Sequence, residues 1–234
     1  MKSYIEMSVA QLKEEREVVE RRISEYKSMN LSLDMTRGKP SSEQLSISNC
    51  LFDNLETKIN FKASDGFDCR NYGVPLGIPE VRNLFAEILN TSSSKIFVGN
   101  SSSLNMMFDT LMRSLVFGQH DSDKPWIQIN NRKWLCPVPG YDRHFRITED
   151  LGFEMINISM NSDGPDIDQI EKLVSEDESI LGIWCIPCYS NPDGIVYSNE
   201  VCERLASMKT KAKDFRIFWD NAYAIHHLYD DRQD

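Results

Sequence analysis

The chain has 234 residues, 41% hydrophobic and 26% charged, enough to bury a sizeable core as one large domain with an appendage or as two small ones. Its formal net charge of −10, with no Lys/Arg stripe to offset the acidic excess, argues against a nucleic-acid partner, so any phosphate has to be held locally. The opening MKSYIEMSVAQLKEERE has no apolar core of signal-peptide length, and no segment approaches the ~20 apolar residues of a membrane span, so a cytoplasmic protein with no membrane partner is expected.

Val9, Leu12, Val19, Ile23 and Tyr26 recur at helical spacing in a charge-rich segment, which predicts an amphipathic helix over 6–29 that needs a surface to lie on. LDMTRGKPSSEQLSIS is polar and broken by Gly38 and Pro40, and reads as the loop leaving that arm. Helix and loop together make an expected N-terminal arm over 1–50, with the main body over 51–234. Pro79 opens a helix carrying Val81, Leu84, Phe85 and Ile88 on one face. Strands and helices then alternate: KIFVG and a helix from Ser102 to Val116, KWLCPV and a helix around YDRHFRITEDLG, EMINISM and DIDQIEKLV, ILGIWCIP and NEVCERLASMKTKA, and finally RIFWD. Short apolar strands separated by amphipathic helices predict an α/β fold, a doubly wound, mostly parallel sheet with helices on both faces.

Six cysteines (Cys50, Cys69, Cys136, Cys185, Cys188 and Cys202) are expected as reduced thiols. CIPC has the spacing of a redox dithiol, but Cys185 lies inside an apolar run rather than at a helix N-terminus, and no second pair completes a zinc site. The adjacent His226 and His227 project in different directions on a strand or a helix, so no metal is expected.

In doubly wound sheets ligands sit outside the carboxyl ends of the strands. After KIFVG come Ser101 and Ser102, which read equally as an anion cradle or as plain N-caps. A serine-hydrolase elbow is rejected, because Ser103 stands where that motif needs glycine. After KWLCPV, PGYD brings Tyr141, an aromatic face for a flat ligand; after ILGIWCIP, the turn YSNPDG brings Asn191; after RIFW, DNAY brings Asp220 and Tyr223.

In this order GNSSSL, CPVPGYDRHF, YSNPDG and WDNAYAIHHL resemble the fold-type I pyridoxal phosphate enzymes, from about LDMTRGKP to the last residue. More narrowly they look like the class I aminotransferase branch that includes some bacterial aspartate aminotransferases. The resemblance implies that 51–234 is an incomplete large cofactor-binding domain, that 1–50 is an arm belonging in part to the family's small domain, and that the intact enzyme is a homodimer. It implies pyridoxal 5′-phosphate as cofactor, with Asp220 against the pyridine nitrogen, where a carboxylate favours the protonated ring. Asn191 and Tyr223 would hold the phenolic oxygen, Tyr141 the ring face, and Ser101 and Ser102 the start of the phosphate cradle. Tyr72, in NYGVPLG, would reach the phosphate of the neighbouring subunit, and Gly38 would lie near the substrate carboxylate. Asp220 and Tyr223 are the expected catalytic residues of a transamination between an amino acid and a 2-oxo acid, with aspartate the donor that the branch suggests.

The chain also departs from the pattern. Asp193 stands in NPDG where the family reads threonine, a change that a turn tolerates. The family's cofactor-anchoring lysine comes after the DNAY aspartate, with further phosphate ligands and a carboxylate-gripping arginine beyond it, whereas no lysine comes after Lys213 here. The expectation is an N-terminal portion of a transaminase, inactive by itself; the alternative is a non-catalytic binding or interaction protein on the same scaffold. The family topology further implies that KIFVG is left without a pairing strand and that ILGIWCIP presents one open edge.

Overall fold

The computed structural model describes residues 3–33, 38, 40–53, 60–99 and 101–227. The chain divides into two compact units, Met1–Asn60 and Phe61–Asp234.

In the first unit the expected helix over 6–29 is α1, Val9–Ser28. A capping box starts it: Ser8 Oγ accepts from the Gln11 backbone N–H, and the Gln11 side chain accepts from the Ser8 N–H. The same device, Ser41 with Gln44, starts α2, Ser42–Ser46, and α3, Cys50–Asp53, comes next. Val9, Leu12, Val19, Ile23 and Tyr26 are all exposed. LDMTRGKP, expected as a loop, lies largely outside the described residues.

The second unit is built on a five-stranded sheet. Its strands are β1 Lys133–Val138, β2 Glu154–Asn161, β3 Gly164–Pro165, β4 Ile180–Cys185 and β5 Arg216–Trp219, in spatial order β3-β2-β1-β4-β5. All pairs are parallel except the short antiparallel β2–β3. Helices α4 Pro79–Ile88, α5 Ser103–Phe117, α6 Asp142–Asp150, α7 Ile167–Glu176 and α8 Asn199–Ser207 complete the unit. Residues of α7 and α8 cover one face, where Ile170, Val174, Val201 and Leu205 pack with Leu135, Ile158 and Ile183. Leu111 and Leu115 of α5 cover the other, packing with Trp126, Trp134, Phe153 and Trp184. The expected doubly wound α/β architecture is therefore present.

One expectation about strands holds and one needs correction. KIFVG forms no ladder: Ile96–Gly99 run without a sheet partner, with the Val98 N–H donated to the Leu76 carbonyl (3.0 Å) and the Ile96 carbonyl accepting from Arg82 Nε (3.2 Å). An apolar β-prone run becomes a strand only where another strand lies alongside, and none among the described residues does. Conversely ILGIWC does not present an open edge. β4 is hydrogen-bonded to β1 on one side and β5 on the other, and all six of its residues are buried. The unpaired side belongs to β5, whose only ladder among the described strands is with β4.

β4 carries an irregularity that shapes the core. Lys133 pairs with Ile180 and the next residue, Trp134, with Gly182, so Leu181 is an extra residue in β4. Leu181 thereby joins Trp184 on the aromatic face. Gly182 lies flush against the Trp134 ring: a Cβ here would come within 2.5 Å of Trp134 Cζ3 and 2.6 Å of the Arg216 carbonyl oxygen. Trp134 in turn packs on Phe153 (5.4 Å between centroids), Trp184 (5.4 Å) and Phe218 (5.6 Å).

The thiols obey burial. The Cys136 thiol is pushed up to about 12 by burial, against a smaller opposing effect of the Thr148 hydroxyl. Burial also raises Cys185, helped by its neighbour Cys202. A CIPC dithiol with so buried a first sulfur lacks the low thiol pKa of a redox centre.

Two outcomes test this packing. Gly182→Ala is expected to cost about 1–3 kcal/mol or more, read as a lower urea midpoint at unchanged slope, because both obstacles are rigid. Iodoacetamide at pH 8 is expected to label the exposed Cys50 and Cys69 in the native chain, and Cys136 and Cys185 only after unfolding, as read by peptide mass spectrometry.

Candidate functional site

The carboxyl ends of β1, β4 and β5 lie side by side, and the residues just beyond them form the candidate site. Asp220 comes directly after β5. Its backbone N–H donates to the carbonyl of Cys185, the last residue of β4 (2.8 Å), which fixes where the side chain starts. Asp220 Oδ2 lies 3.0 Å from His144 Nε2, with the Asp220 side chain 13% exposed and that of His144 1%. A carboxylate only accepts, so Nε2 carries the proton of this bond.

His144 reaches this place from the first turn of α6. After β1 the chain turns through Pro139 and Gly140, and Tyr141 takes the N-cap position, its carbonyl accepting from the His144 N–H (3.1 Å). The Tyr141 ring meets the His144 imidazole edge-on, at 5.2 Å and 84°. On its other side the imidazole lies flat on the Trp184 indole, at 4.5 Å and 13°. Trp184 Nε1 donates to Thr148 Oγ1 (2.8 Å), and that hydroxyl donates to the His144 carbonyl (2.9 Å).

Asn191 is exposed, in a turn after β4 closed by bonds between Ser190 and Ile195 and between Gly194 and Ser190. Its neighbour Ser190 lines a narrow cleft together with Tyr141, His144 and Trp184. Tyr197, which lines the same cleft, has its phenol raised by burial and remains a neutral donor. Tyr223 is half-buried in the turn after Asp220. The structure thus gathers Tyr141 and Asp220 around His144, with Asn191 and Tyr223 on adjoining turns.

The remaining expected residues lie on other elements. Ser102 caps α5, accepting from the Asn105 N–H at 3.3 Å, and Ser101 is exposed just before it. Tyr72 is 93% exposed on the loop ahead of α4. Gly38 belongs to the first unit and has open space where a Cβ would be. No group of three or more His, Cys, Asp or Glu among the described residues is arranged to hold a metal. None of the helices among the described residues is long and apolar enough to cross a membrane.

Sequence reasoning passed over His144, although its signal was present in PGYDRHF: a titratable residue one helical turn past an aromatic, at a strand's carboxyl end. Trp184 carried no such signal, because an indole inside an apolar strand reads as core.

Comparison with known proteins identifies the family. Residues 7–234 match the family model described as aspartate amino-transferase. The aspartate aminotransferase of Corynebacterium glutamicum is 50% identical over 215 residues, covering 92% of this chain and 49% of that protein. A curated protein of Mycolicibacterium smegmatis is 48% identical over 221 residues, covering 93% and 51%. The crystal structure of an aspartate transaminase from Corynebacterium glutamicum superposes with a TM-score of 0.81 at 47% identity, covering 92% of this chain and 50% of that one. The chain spans about half the length of the curated relatives it matches. With that extent of matching sequence and a shared sheet, the chain belongs to the aspartate aminotransferase family, on the fold of the pyridoxal phosphate-dependent transferases.

Proposed function

We propose that residues 51–234 are the cofactor-binding part, and 1–50 the arm, of a cytoplasmic, homodimeric, pyridoxal 5′-phosphate-dependent aminotransferase that moves an amino group from aspartate to a 2-oxo acid. The observation that carries this reading is the Asp220 carboxylate bonded to a buried histidine at the carboxyl ends of a parallel sheet, in a chain of the aspartate aminotransferase family.

The residues fit the cofactor. A pyridine nitrogen that must keep its proton needs a carboxylate acceptor with little water around it, which is what Asp220 offers. When bound, pyridoxal phosphate supplies an electron sink for the carbanion formed as the substrate loses its α-proton. In this reading Asp220 accepts the ring N–H, while His144 keeps the carboxylate in place from the other side. Asn191 and Tyr223 bond the phenolic oxygen, and Tyr141 covers one ring face. Ser101 and Ser102, with the N–H groups opening α5, receive the phosphate. Tyr72 serves the phosphate of the partner subunit, and Gly38 leaves room for the substrate carboxylate. The covalent anchor and proton-shuttling base are assigned to the segment beyond these residues in the whole enzyme, so the 234 residues alone are expected to turn over no substrate.

Two measurements test this. In the whole enzyme, Asp220→Ala is expected to retain cofactor and lose about 10²- to 10³-fold in turnover, since an electrostatic partner is removed while phosphate and stacking contacts stay. An unchanged turnover number defeats the assigned role. The isolated chain is expected to bind pyridoxal phosphate reversibly, with the cofactor lost on gel filtration and no single lysine labelled after borohydride treatment. Stoichiometric labelling of one lysine contradicts the assignment of the anchor to the later segment.

A further inference from the structure

We propose that Trp184 and Thr148 are positioning residues for the His144–Asp220 pair, a role that rests on reading Asp220 as the partner of the cofactor's ring nitrogen. Three contacts, closed by the covalent frame of His144 itself, form a circuit. The His144 ring lies on the Trp184 indole (4.5 Å, 13°), Trp184 Nε1 donates to Thr148 Oγ1 (2.8 Å), the Thr148 hydroxyl donates to the His144 carbonyl (2.9 Å), and the His144 backbone carries the ring back to the indole. The circuit joins β4 to α6 and leaves the imidazole plane one orientation, the one in which Nε2 meets Asp220 Oδ2 at 3.0 Å.

Core filling alone does not account for this arrangement. Trp134 is also fully buried in the same aromatic cluster, and its Nε1 has no hydrogen-bond partner among the described residues. The fold tolerates an unsatisfied indole there, whereas at Trp184 the N–H is met by a hydroxyl whose own proton is already committed to the residue being positioned. A bond made in both directions through Thr148 fixes the tilt of the indole, and a flat stack transmits that tilt to the imidazole. The titratable groups beside the pair and its supports are the Tyr141 phenol from the start of α6, Tyr197 from the loop before α8 and the Cys136 thiol of β1 against the Thr148 hydroxyl.

The test needs no cofactor and no turnover. In the ¹⁵N-labelled chain the His144 Nε2–H resonance, identified by its loss in His144→Gln, is tracked for exchange with water and compared with the backbone amides of β1 and β4. Thr148→Val keeps the shape and removes both bonds; its Nε2–H is expected to exchange roughly five- to tenfold faster than in the unsubstituted chain, with β1 and β4 amides little changed, and Thr148→Ser is expected to restore protection. Trp184→Phe, which keeps an aromatic floor and removes the N–H, should show the same selective loss and replaces Thr148→Val if that variant does not fold. Unaltered Nε2–H exchange in the folded variant, acceleration matched by the sheet amides, or an Nε2–H signal absent from the unsubstituted chain overturns the inference. Pyridoxal phosphate binding by the unsubstituted chain is measured separately: a chain that shows the selective effect yet binds no cofactor refutes the cofactor reading and leaves the positioning circuit standing.

Discussion

A carboxylate at the end of an apolar strand is the constraint on which the second unit turns. Asp220 comes after RIFW and is mostly withdrawn from water, and a buried charge without a partner costs several kcal/mol or gives up its charge. His144 supplies the partner, but only because three other things are in place. β1 must deliver the chain to the same sheet end as β5, α6 must start there, and a surface must hold the imidazole from behind. Each condition is met by a different part of the sequence. The parallel order β1-β4-β5 sets the first, Tyr141 at the N-cap the second, and Trp184 the third.

That surface is the end of an aromatic column running through one face of the core. Trp126 packs on Trp134 (6.2 Å), Trp134 on Trp184 (5.4 Å) and Trp184 on His144 (4.5 Å). The column begins at one buried carboxyl group, where Trp126 Nε1 donates to Asp214 Oδ2 at 2.7 Å, and ends at another, that of Asp220. Gly182 is what admits it. With any side chain at this position Trp134 would be displaced from the sheet, and the plane on which Trp184 rests would move with it. A glycine inside the most buried strand is unfavourable for the strand itself, so its presence is best understood through the ring it makes room for.

Much of this was legible from local pattern. The alternation of apolar strands and amphipathic helices located α4 to α8 and the strands β1, β2, β4 and β5 within a few residues, because period and punctuation are properties of short segments. Asp220, Tyr141, Asn191 and Tyr223 were reachable because strand ends are visible in sequence, and ligands of such sheets gather beyond the carboxyl ends. Other features depend on partners distant in the chain. KIFVG has strand composition but no neighbour to pair with among the described residues. Whether β4 has an open side is decided by β5, a strand on the far side of α8, and by no local signal within ILGIWC. The extra residue Leu181 shows only in the register against β1, and β3, Gly164–Pro165, is too short to have a period. His144 fell between the two groups: its helix was read, but its partner lies 76 residues away.

Ser102 shows that the two readings of the GNSSSL stretch do not compete. As N-cap it accepts from the Asn105 N–H, which uses one lone pair of the hydroxyl and satisfies one of the four backbone donors left over at a helix start. The Met106 N–H is taken by the Ser102 carbonyl (3.2 Å). An α-helix leaves its first N–H groups, here those of Ser103 and Leu104, outside its own hydrogen-bond ladder, at the end where the helix dipole favours an anion. A cap of this kind also fixes the direction of those N–H groups before any ligand arrives. In the proposed function the serine that starts the helix and the serine that receives the phosphate are one device, and the helix geometry needed for the first is the preorganisation needed for the second.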